Sequence, residues 1–435
     1  MSKSPFIISL FLLSASLFSG SALAQTGLSL RQALEEAQAN HPLIEAARAE
    51  QTGASHAVSS ARSGHLPGLD VTVSGTKGLA GSYGKLGLHG LASSPFKEMY
   101  GGSVNLWWTL LDFGRTSGGV QEAKARHGMA RHRTDLAVQL VRLEVSTSFY
   151  DCIETDQILA AARGLVSQRM ARTELVRRQA EHGVSSDVDR ALAEADLGRA
   201  QAQEQDAVAK QAGCRFLLWA MLGRTPDDSA ISTPLETAKG SDPNPNAVAD
   251  HCRQGRCRPD RLILQHEIKA LKGQLGAINA GHLPVLTVTG SGGYANMGAD
   301  QDPEHYAVGV GVRWPLFEGF RVSSQADSNR ARTRAAQARL KAHDLIISAE
   351  LKSAQAQYSA GKRRLELSSQ AMPAAEQALQ LARQQFEAGL IDALKLSAGE
   401  LALWEARREL AAANAAVGQA RAALIYAIGK PSGSP

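Results

Sequence analysis

The chain contains the same structural unit twice, and this duplication constrains its fold more than any other feature. Gly64-His65-Leu66-Pro67 returns 217 residues later as Gly281-His282-Leu283-Pro284. Three further pairs recur at a spacing of 206, namely Trp108 and Trp314, Gly183 and Gly389, and Gly223 and Gly429. Anchors that recur in the same order indicate an internal repeat. The change in spacing places 11 extra residues between the Leu-Pro and Trp anchors of the first copy.

Each copy has the same predicted order of elements. A helix ends near Gly-His-Leu-Pro and is followed by two short strands, a very long helix, a glycine turn and a returning helix. Residues 117–182 carry helical apolar spacing, and no proline occurs between Pro95 and Pro226. At 1.5 Å per residue this helix is roughly 100 Å long, which a globular domain does not need. The Ala-rich helices suit close antiparallel packing, in either a solid or a hollow bundle.

The strands alternate apolar residues with polar or small ones. The apolar positions are Val104, Leu106 and Trp108 in the first copy and Val308, Val310, Val312 and Trp314 in the second. This alternation, with Trp at one end, is typical of lipid-facing strands of a transmembrane barrel, although a half-buried soluble sheet gives the same pattern. Four strands cannot close around a lumen, so several chains must pool theirs.

The N-terminus has the pattern of a secretory signal. Lys3 precedes an apolar run over 6–18, and Ala22-Leu23-Ala24 provides a cleavage site. We therefore predict a signal peptide over 1–24, a first repeat over 25–227, a linker over 228–258 and a second repeat over 259–435. Without the signal the net charge is 46 minus 42, or +4, and its dispersed pattern argues against nucleic-acid binding. No later stretch has the roughly 18 apolar residues of a spanning helix, so membrane insertion would require strands.

Taken together, these features resemble the TolC-like outer membrane efflux proteins. The resemblance covers the mature chain and includes Asn40-His41-Pro42 and the ordered, duplicated anchors. It implies a mainly α fold with a transmembrane β part: a homotrimer with a 12-stranded barrel continuous with a 12-helix periplasmic tunnel. It also implies a passive outer-membrane exit duct for drug efflux or type I protein secretion, in contact with outer-membrane lipid. An inner-membrane transporter would reach this duct through a periplasmic adaptor at the helical tips.

The resemblance also assigns site residues at the tips of the helical hairpins. The tip positions are Gly183, Ser185, Asp187 and Asp189 in the first copy and Gly389, Asp392 and Lys395 in the second. The acidic ring that narrows the tip in this family falls on Lys395 and Ala398, which departs from the family pattern, so we expect a weaker preference for cations. The family's closing contact maps onto Asp189 and Phe386, and Phe386 lacks the usual hydroxyl.

The cysteines provide a test of the hairpin. Cys152 and Cys214 lie 31 residues before and after Gly183, so an antiparallel hairpin folded there brings them to the same height. They could form a disulfide or remain two small buried hydrophobic residues. Cys252 and Cys257 lack a second ligand pair, which favours a local disulfide over zinc.

No enzymatic site is apparent in the sequence. It lacks a phosphate-binding glycine loop and a nucleophile elbow, and His127 and His132 are five residues apart, off one helical face. We therefore expect no catalytic residue, cofactor or metal. The alternative to a channel is a periplasmic coiled-coil adaptor or scaffold that never enters the outer membrane.

Overall fold

The computed structural model describes residues 27–77, 98–229, 235–236, 258–296 and 304–429. The signal peptide over 1–24, most of the linker, and Cys252 and Cys257 lie outside these ranges.

The first copy follows the predicted order of elements. It comprises β1 (Leu28–Ser29), α1 (Leu30–Asn40), α2 (Pro42–Ser63), β2 (Gly68–Lys77), β3 (Glu98–Leu111), α3 (Arg115–Glu181) and α4 (Asp187–Met221). The short β4 (Leu235–Glu236) pairs in parallel with β1, so the linker contacts the start of the chain. The second copy comprises α5 (Pro259–Asn279), β5 (Val285–Asn296), β6 (Glu304–Arg313), α6 (Arg321–Glu387) and α7 (Ala393–Ile428).

The duplication is visible in the backbone itself. The long helices α3 and α6 each have 67 residues and begin and end at positions 206 apart. Every described residue with a positive φ has a counterpart at the same spacing: Phe113 and Gly319, Gly114 and Phe320, Gly183 and Gly389, and Gly223 and Gly429. At the start of each long helix the glycine and phenylalanine are exchanged, yet the left-handed conformation is kept. The two copies therefore share their turns as well as their helices.

The helices form two long antiparallel hairpins that pack side by side. Helix α3 packs against α4 in the first hairpin and α6 against α7 in the second, and α3 also packs along α7. The order across the layer is therefore α4-α3-α7-α6. Above the hairpins, α2 packs on α3, and α5 packs on both α3 and α6.

The largest buried core lies where α1, α2, α3 and α4 meet. Its fully buried side chains include Ile44, Phe149, Leu218 and Trp219. A second core near the tips contains Val176, Ala193, Leu379, Phe386, Leu396 and Leu403, which come from all four hairpin helices. This shared core joins the two copies close to their turns.

The predicted fold class, mainly α with a β part in a duplicated unit, is confirmed. Among the described helices, none is long and apolar enough to cross a membrane. One strand end differs from the prediction, because β6 ends at Arg313 and leaves Trp314 just beyond it, whereas Trp108 lies within β3. Pro315 follows Trp314 and has no N–H for a strand ladder, which accounts for the earlier end.

Candidate functional site: the sheet face and the helical tips

The four long strands form one antiparallel sheet with an apolar face. The order is β2-β3-β5-β6. Strand pairing sets Val71 opposite Val104, Trp108 opposite Val288, and Val288 opposite Val310. Side chains on one face alternate with those on the other, so the predicted lipid-facing residues of β3 and β6 belong to one continuous face. Along β6 this face is open to solvent in the single chain, with Val308, Val310 and Val312 87%, 70% and 68% exposed.

The opposite face is mainly polar, although Trp107 also lies on it. Asn105 Nδ2 donates to Asp70 Oδ1 at 2.8 Å and to Thr72 Oγ1 at 3.1 Å, which links β3 to β2. Gly309 and Gly311 of β6 lie on this face against the hydroxyls of Thr289 and Thr287. A sheet that is apolar on one side and hydroxyl-rich on the other suits a boundary between lipid and water.

Both edges of the sheet are open within the described chain. Strand β2 pairs only with β3, and β6 pairs only with β5. Open edges present unpaired backbone N–H and C=O groups, and such edges cannot remain unpaired in a hydrocarbon environment. In a membrane, this sheet requires further strands.

The two tryptophans that mark the repeat tie each strand to the helix before it. Trp108 Nε1 donates to the carbonyl of His65 at 2.9 Å, and Trp314 Nε1 donates to that of His282 at 3.2 Å. Each bond joins the Trp anchor of a copy to its Gly-His-Leu-Pro anchor. These motifs therefore recur together because they form one contact at the sheet–helix junction.

The tips are two equivalent glycine turns. Gly183 and Gly389 have φ of 72° and 70°, a left-handed conformation that glycine adopts without steric cost. Beyond them, the N–H of Val184 bonds to Gln179 O and that of Leu390 to Gln385 O, both at 2.8 Å. The turn residues predicted from the sequence thus lie at the ends of the hairpins.

Each returning helix is capped at its start. Ser186 caps α4 in a capping box with Asp189, whose carboxylate also accepts from the Ser185 hydroxyl at 3.4 Å. The hydrogen bonds from Ser186 lower the pKa of Asp189. Asp392 caps α7 by accepting from the Lys395 N–H at 2.9 Å. Asp187 is exposed in the first turn of α4, where a negative charge interacts favourably with the helix dipole.

The other predicted tip residues differ in their exposure. Phe386 is buried in the core near the tips, and the hydrogen bonds of Asp189 are made within its own cap. Lys395 and Ala398 are exposed. Within one chain, Asp189 therefore takes part in a helix cap and Phe386 packs in a core. The ring positions, Lys395 and Ala398, remain accessible.

A disulfide joins the first hairpin well above its tip. Cys152 and Cys214 are bonded, with Cα atoms 5.5 Å apart and a sequence separation of 62. Both lie 31 residues from Gly183, which corresponds to roughly 46 Å along the helices. The bond fixes the register of α4 on α3.

A cluster of charged and polar side chains, which no sequence pattern indicates, lies between the disulfide and the tips. We define it as Arg169 and Arg172 of α3, Asp196 of α4, and Ser397 and Glu400 of α7. Glu400 Oε2 lies 3.1 Å from Arg169 Nε and 3.3 Å from Arg172 Nη1. Both arginines also pair with Asp196, to which the Ser397 hydroxyl donates at 3.1 Å. This charge cluster joins three helices from both copies.

The two arginines and Glu400 are buried, and burial competes with ion pairing in the electrostatics of the cluster. The side chains of Arg172 and Glu400 are only 3% and 2% exposed. Burial raises the pKa of Glu400, against the attraction of the two arginines. Burial opposes ionisation of Asp196 too, but the hydrogen bond from Arg172 and the charge of Arg169 lower its pKa. Removing one charged member of such a group leaves its partners with fewer opposite charges inside the protein, which is destabilising.

Across the described residues, no group of three or more His, Cys, Asp and Glu side chains is arranged to hold a metal ion.

These features define a class of protein: a duplicated chain with paired 67-residue helices and an open, one-sided apolar sheet. The sequence matches the family model described as outer membrane efflux protein over residues 33–224 and 258–430. The chain therefore belongs to the outer membrane efflux protein family. None of the curated proteins matches it significantly.

Solved structures show the same fold. The outer membrane protein VceC of Vibrio cholerae aligns with a TM-score of 0.78 and 21% identity, over 92% of this chain and 96% of that one. The CmeC outer membrane channel of Campylobacter jejuni aligns with a TM-score of 0.79 and 12% identity, over 92% of this chain and 85% of that one. The open state of the MtrE outer membrane channel of Neisseria gonorrhoeae aligns with a TM-score of 0.75 and 18% identity, over 92% of this chain and 88% of that one.

The family assignment confirms the resemblance inferred from the sequence. The protein is an outer-membrane efflux channel that extends into the periplasm, and it is not an enzyme. Of the two interpretations of the sequence, the assignment supports the channel and disfavours a periplasmic scaffold that never enters the outer membrane.

Proposed function

We propose that three copies of this chain form a passive exit duct for a tripartite efflux or secretion system. An inner-membrane transporter and a periplasmic adaptor would dock at the helical tips. The observation that carries this proposal is the four-stranded sheet, which has one apolar face and two open edges. Three such sheets joined edge to edge supply 12 strands, more than the roughly eight at which barrels begin to close.

In this arrangement the apolar face meets outer-membrane lipid and the polar face lines the pore. Val104, Leu106 and Trp108 of β3, Val308, Val310 and Val312 of β6, and Trp314 form part of the lipid surface. The exposure of the β6 valines in the single chain supports this orientation, because exposed apolar residues of this kind need a lipid or protein partner.

The helices continue the duct below the membrane. The layer α4-α3-α7-α6 ends in α4 on one side and α6 on the other. Three layers closed in a ring would place α4 of one copy against α6 of the next. Exposed apolar side chains on these helices support such contacts: Leu192 and Leu217 on α4, and Leu367 and Leu381 on α6. The repeat boundaries, 25–227 and 259–435, and the linker over 228–258 are part of the same proposal.

The tips carry a surface that suits an adaptor protein. Val184 and Val188 in the first hairpin and their counterparts Leu390 and Leu394 in the second are all at least 67% exposed. Four exposed apolar residues at the ends of rigid hairpins are unfavourable in water and typical of a binding surface. Asp187 and Lys395, which border these residues, supply charges of both signs.

Efflux in cells and conductance in bilayers separate docking from channel formation. Val188→Glu with Leu394→Glu should abolish export while the purified variant still forms stepwise channels in planar bilayers. Glu174→Gln, at an exposed site on α3, serves as the control and should leave export unchanged. Loss of channels as well as export would mean that the tip residues fold or assemble the protein, and unchanged export would exclude the tips as the docking surface.

A further inference from the structure

We infer that β6 of each chain pairs with β2 of the next copy in the register of the β3–β5 pairing, and that Arg313 there forms an ion pair with Asp70 of the next chain. The inference rests on the proposed duct, whose barrel closes only where chains meet. It names the surface and the partner of that closure. We call the pairing of β6 with β2 of the next chain the closing junction.

The pairing of β3 with β5 is a template for the closing junction, because it too joins one copy of the repeat to the other. Strand β2 of the first copy corresponds to β5 of the second, and β3 corresponds to β6. The edge that β2 presents to a neighbouring chain resembles the edge that β5 presents to β3. Four repeat positions of β2 and β5 carry the same residue: Leu69 and Leu286, Val71 and Val288, Thr72 and Thr289, and Ser74 and Ser291.

The two copies are also set at the same height on the helices. The repeat equivalents Trp108 and Trp314 donate the same hydrogen bond, to the carbonyls of His65 and His282 respectively. The residues that precede these tryptophans in β3 and β6 therefore lie at equivalent levels, at the end of the sheet nearest the helices. One register can serve both junctions.

This register places two opposite charges near each other at the closing junction. Within the chain, Trp107 pairs with Thr289. The repeat equivalents of this pair are Arg313 and Thr72, so Arg313 lies opposite Thr72 of the next chain. Asp70 is two residues from Thr72, on the same face of β2. Diagonal neighbours in an antiparallel sheet are about 7 to 8 Å apart, which a long side chain can span. Arg313 can therefore reach Asp70 of the next chain.

The register also joins apolar face to apolar face. It sets Val312 opposite Val73 of the next chain, the repeat equivalents of Leu106 and Gly290. These two valines are 68% and 82% exposed in the single chain, so each can gain a partner. A shift by one residue would turn the valines of one strand towards the lumen. Only shifts by an even number of residues keep the faces aligned.

The charges of the two edges are complementary. Arg313 is exposed and has no ion-pair partner among the described residues. Asp70 is exposed too, and the two side chains that donate hydrogen bonds to it use its Oδ1 atom. The template junction lacks such a pair, because Trp107 and Thr287 occupy the equivalent positions. The ion pair thus belongs to the junction between separate chains, where it favours a second copy of this chain over another edge strand.

The first test determines the register by cross-linking. The purified mature protein with Val73→Cys and Val312→Cys is treated with a copper–phenanthroline oxidant. It should give covalent dimers and trimers on denaturing, non-reducing gels. Opposed residues have Cα atoms about 4.5 to 5.5 Å apart, which a disulfide can bridge.

The matched control moves one cysteine by two residues on the same face. Val71→Cys with Val312→Cys should remain mostly monomeric on the same gels, because diagonal Cα atoms lie beyond the reach of a disulfide. The wild type, treated alike, controls for the native cysteines. Trimers that link more through Val71 than through Val73, or through neither, would overturn the register.

The second test exchanges the two charges. Asp70→Arg and Arg313→Asp should each lower the temperature at which trimers dissociate in SDS, because each places like charges together at the closing junction. The double variant should dissociate at a higher temperature than either single variant. Asp70→Arg with Arg321→Asp makes the same change of charge away from β6 and should show no recovery. Losses that add in the double variant, or equal recovery with Arg321→Asp, would overturn the ion pair.

The two proposals can fail separately. A wild-type protein that forms neither trimers nor channels would refute the proposed duct. A conducting, trimeric wild type whose variants link in another register, or whose exchanged charges give no recovery, would refute only the assignment of the closing junction.

Discussion

The exposed valines of β6 allow the membrane assignment of the sheet to be tested quantitatively. Val308 and Ala307 are neighbours at mid-strand, and they lie on the apolar and polar faces respectively. An arginine on the lipid face near the bilayer midplane costs about 2 to 4 kcal/mol. In a trimer the substitution occurs three times, so Val308→Arg should destabilise the assembled barrel by about 6 to 12 kcal/mol. Ala307→Arg, at nearly the same depth, should face the aqueous lumen and cost little.

The assay is the yield of heat-modifiable trimers in outer-membrane fractions, followed by urea denaturation of each variant folded into lipid vesicles. Val308→Arg should abolish the trimers or lower the urea midpoint strongly, whereas Ala307→Arg should remain close to the wild type. Equal behaviour of the two variants would mean that the faces do not separate lipid from water. The reverse order would mean that the sheet is inside out.

Three further predictions follow from the hairpins. Lys395→Asp should raise cation selectivity, and an unchanged reversal potential under a salt gradient would remove Lys395 from the pore lining. Replacing Cys152 and Cys214 with Ser should lower the free energy of unfolding by about 4 kcal/mol, because the disulfide closes a loop with a sequence separation of 62. Equal denaturation midpoints of the variant and the wild type under non-reducing conditions would contradict this prediction. Hydrogen bonds from Ser186 lower the pKa of the Asp189 carboxyl. The capping box of α4 should therefore be intact at pH values above the ordinary pKa of Asp and should weaken as the pH falls below it. At these low pH values, the amides of residues 186–190 should lose protection from hydrogen exchange, corrected for the intrinsic rate, in the wild type. The protection should change less in Asp189→Asn.

Most of the architecture could be predicted because it is repeated. A helix expected over 117–182 is observed over Arg115–Glu181, and the glycine turn sets the symmetry of Cys152 and Cys214. A feature that occurs twice at one spacing gives the sequence pattern an internal control. The apolar face of the strands could be predicted from the alternation of residues, because every second residue of a strand lies on the same face.

The features that could not be predicted involve contacts between distant segments. The charge cluster draws on three helices, and of its members only Glu400 has the same residue type at the repeat position, Glu194, so neither periodicity nor repetition indicates it. Arginines in Ala-rich helices normally face water, and Arg172 gives no sign in the sequence that it does not. The sequence likewise gives no sign of the hydrogen bonds from Trp108 and Trp314, although both motifs that each bond joins recur as repeat anchors. Trp314 lies outside the strand because the following proline ends the ladder.

Whether three copies pool their strands around a single pore can be seen in images of the purified protein. Electron cryomicroscopy of the mature protein in lipid nanodiscs should show threefold particles. Each should have 12 strands within the bilayer and a hollow helical tunnel extending roughly 100 Å below it, the length of the 67-residue helices. Particles that contain one copy, or whose four-stranded sheet lies outside the lipid, would exclude a barrel shared by three chains.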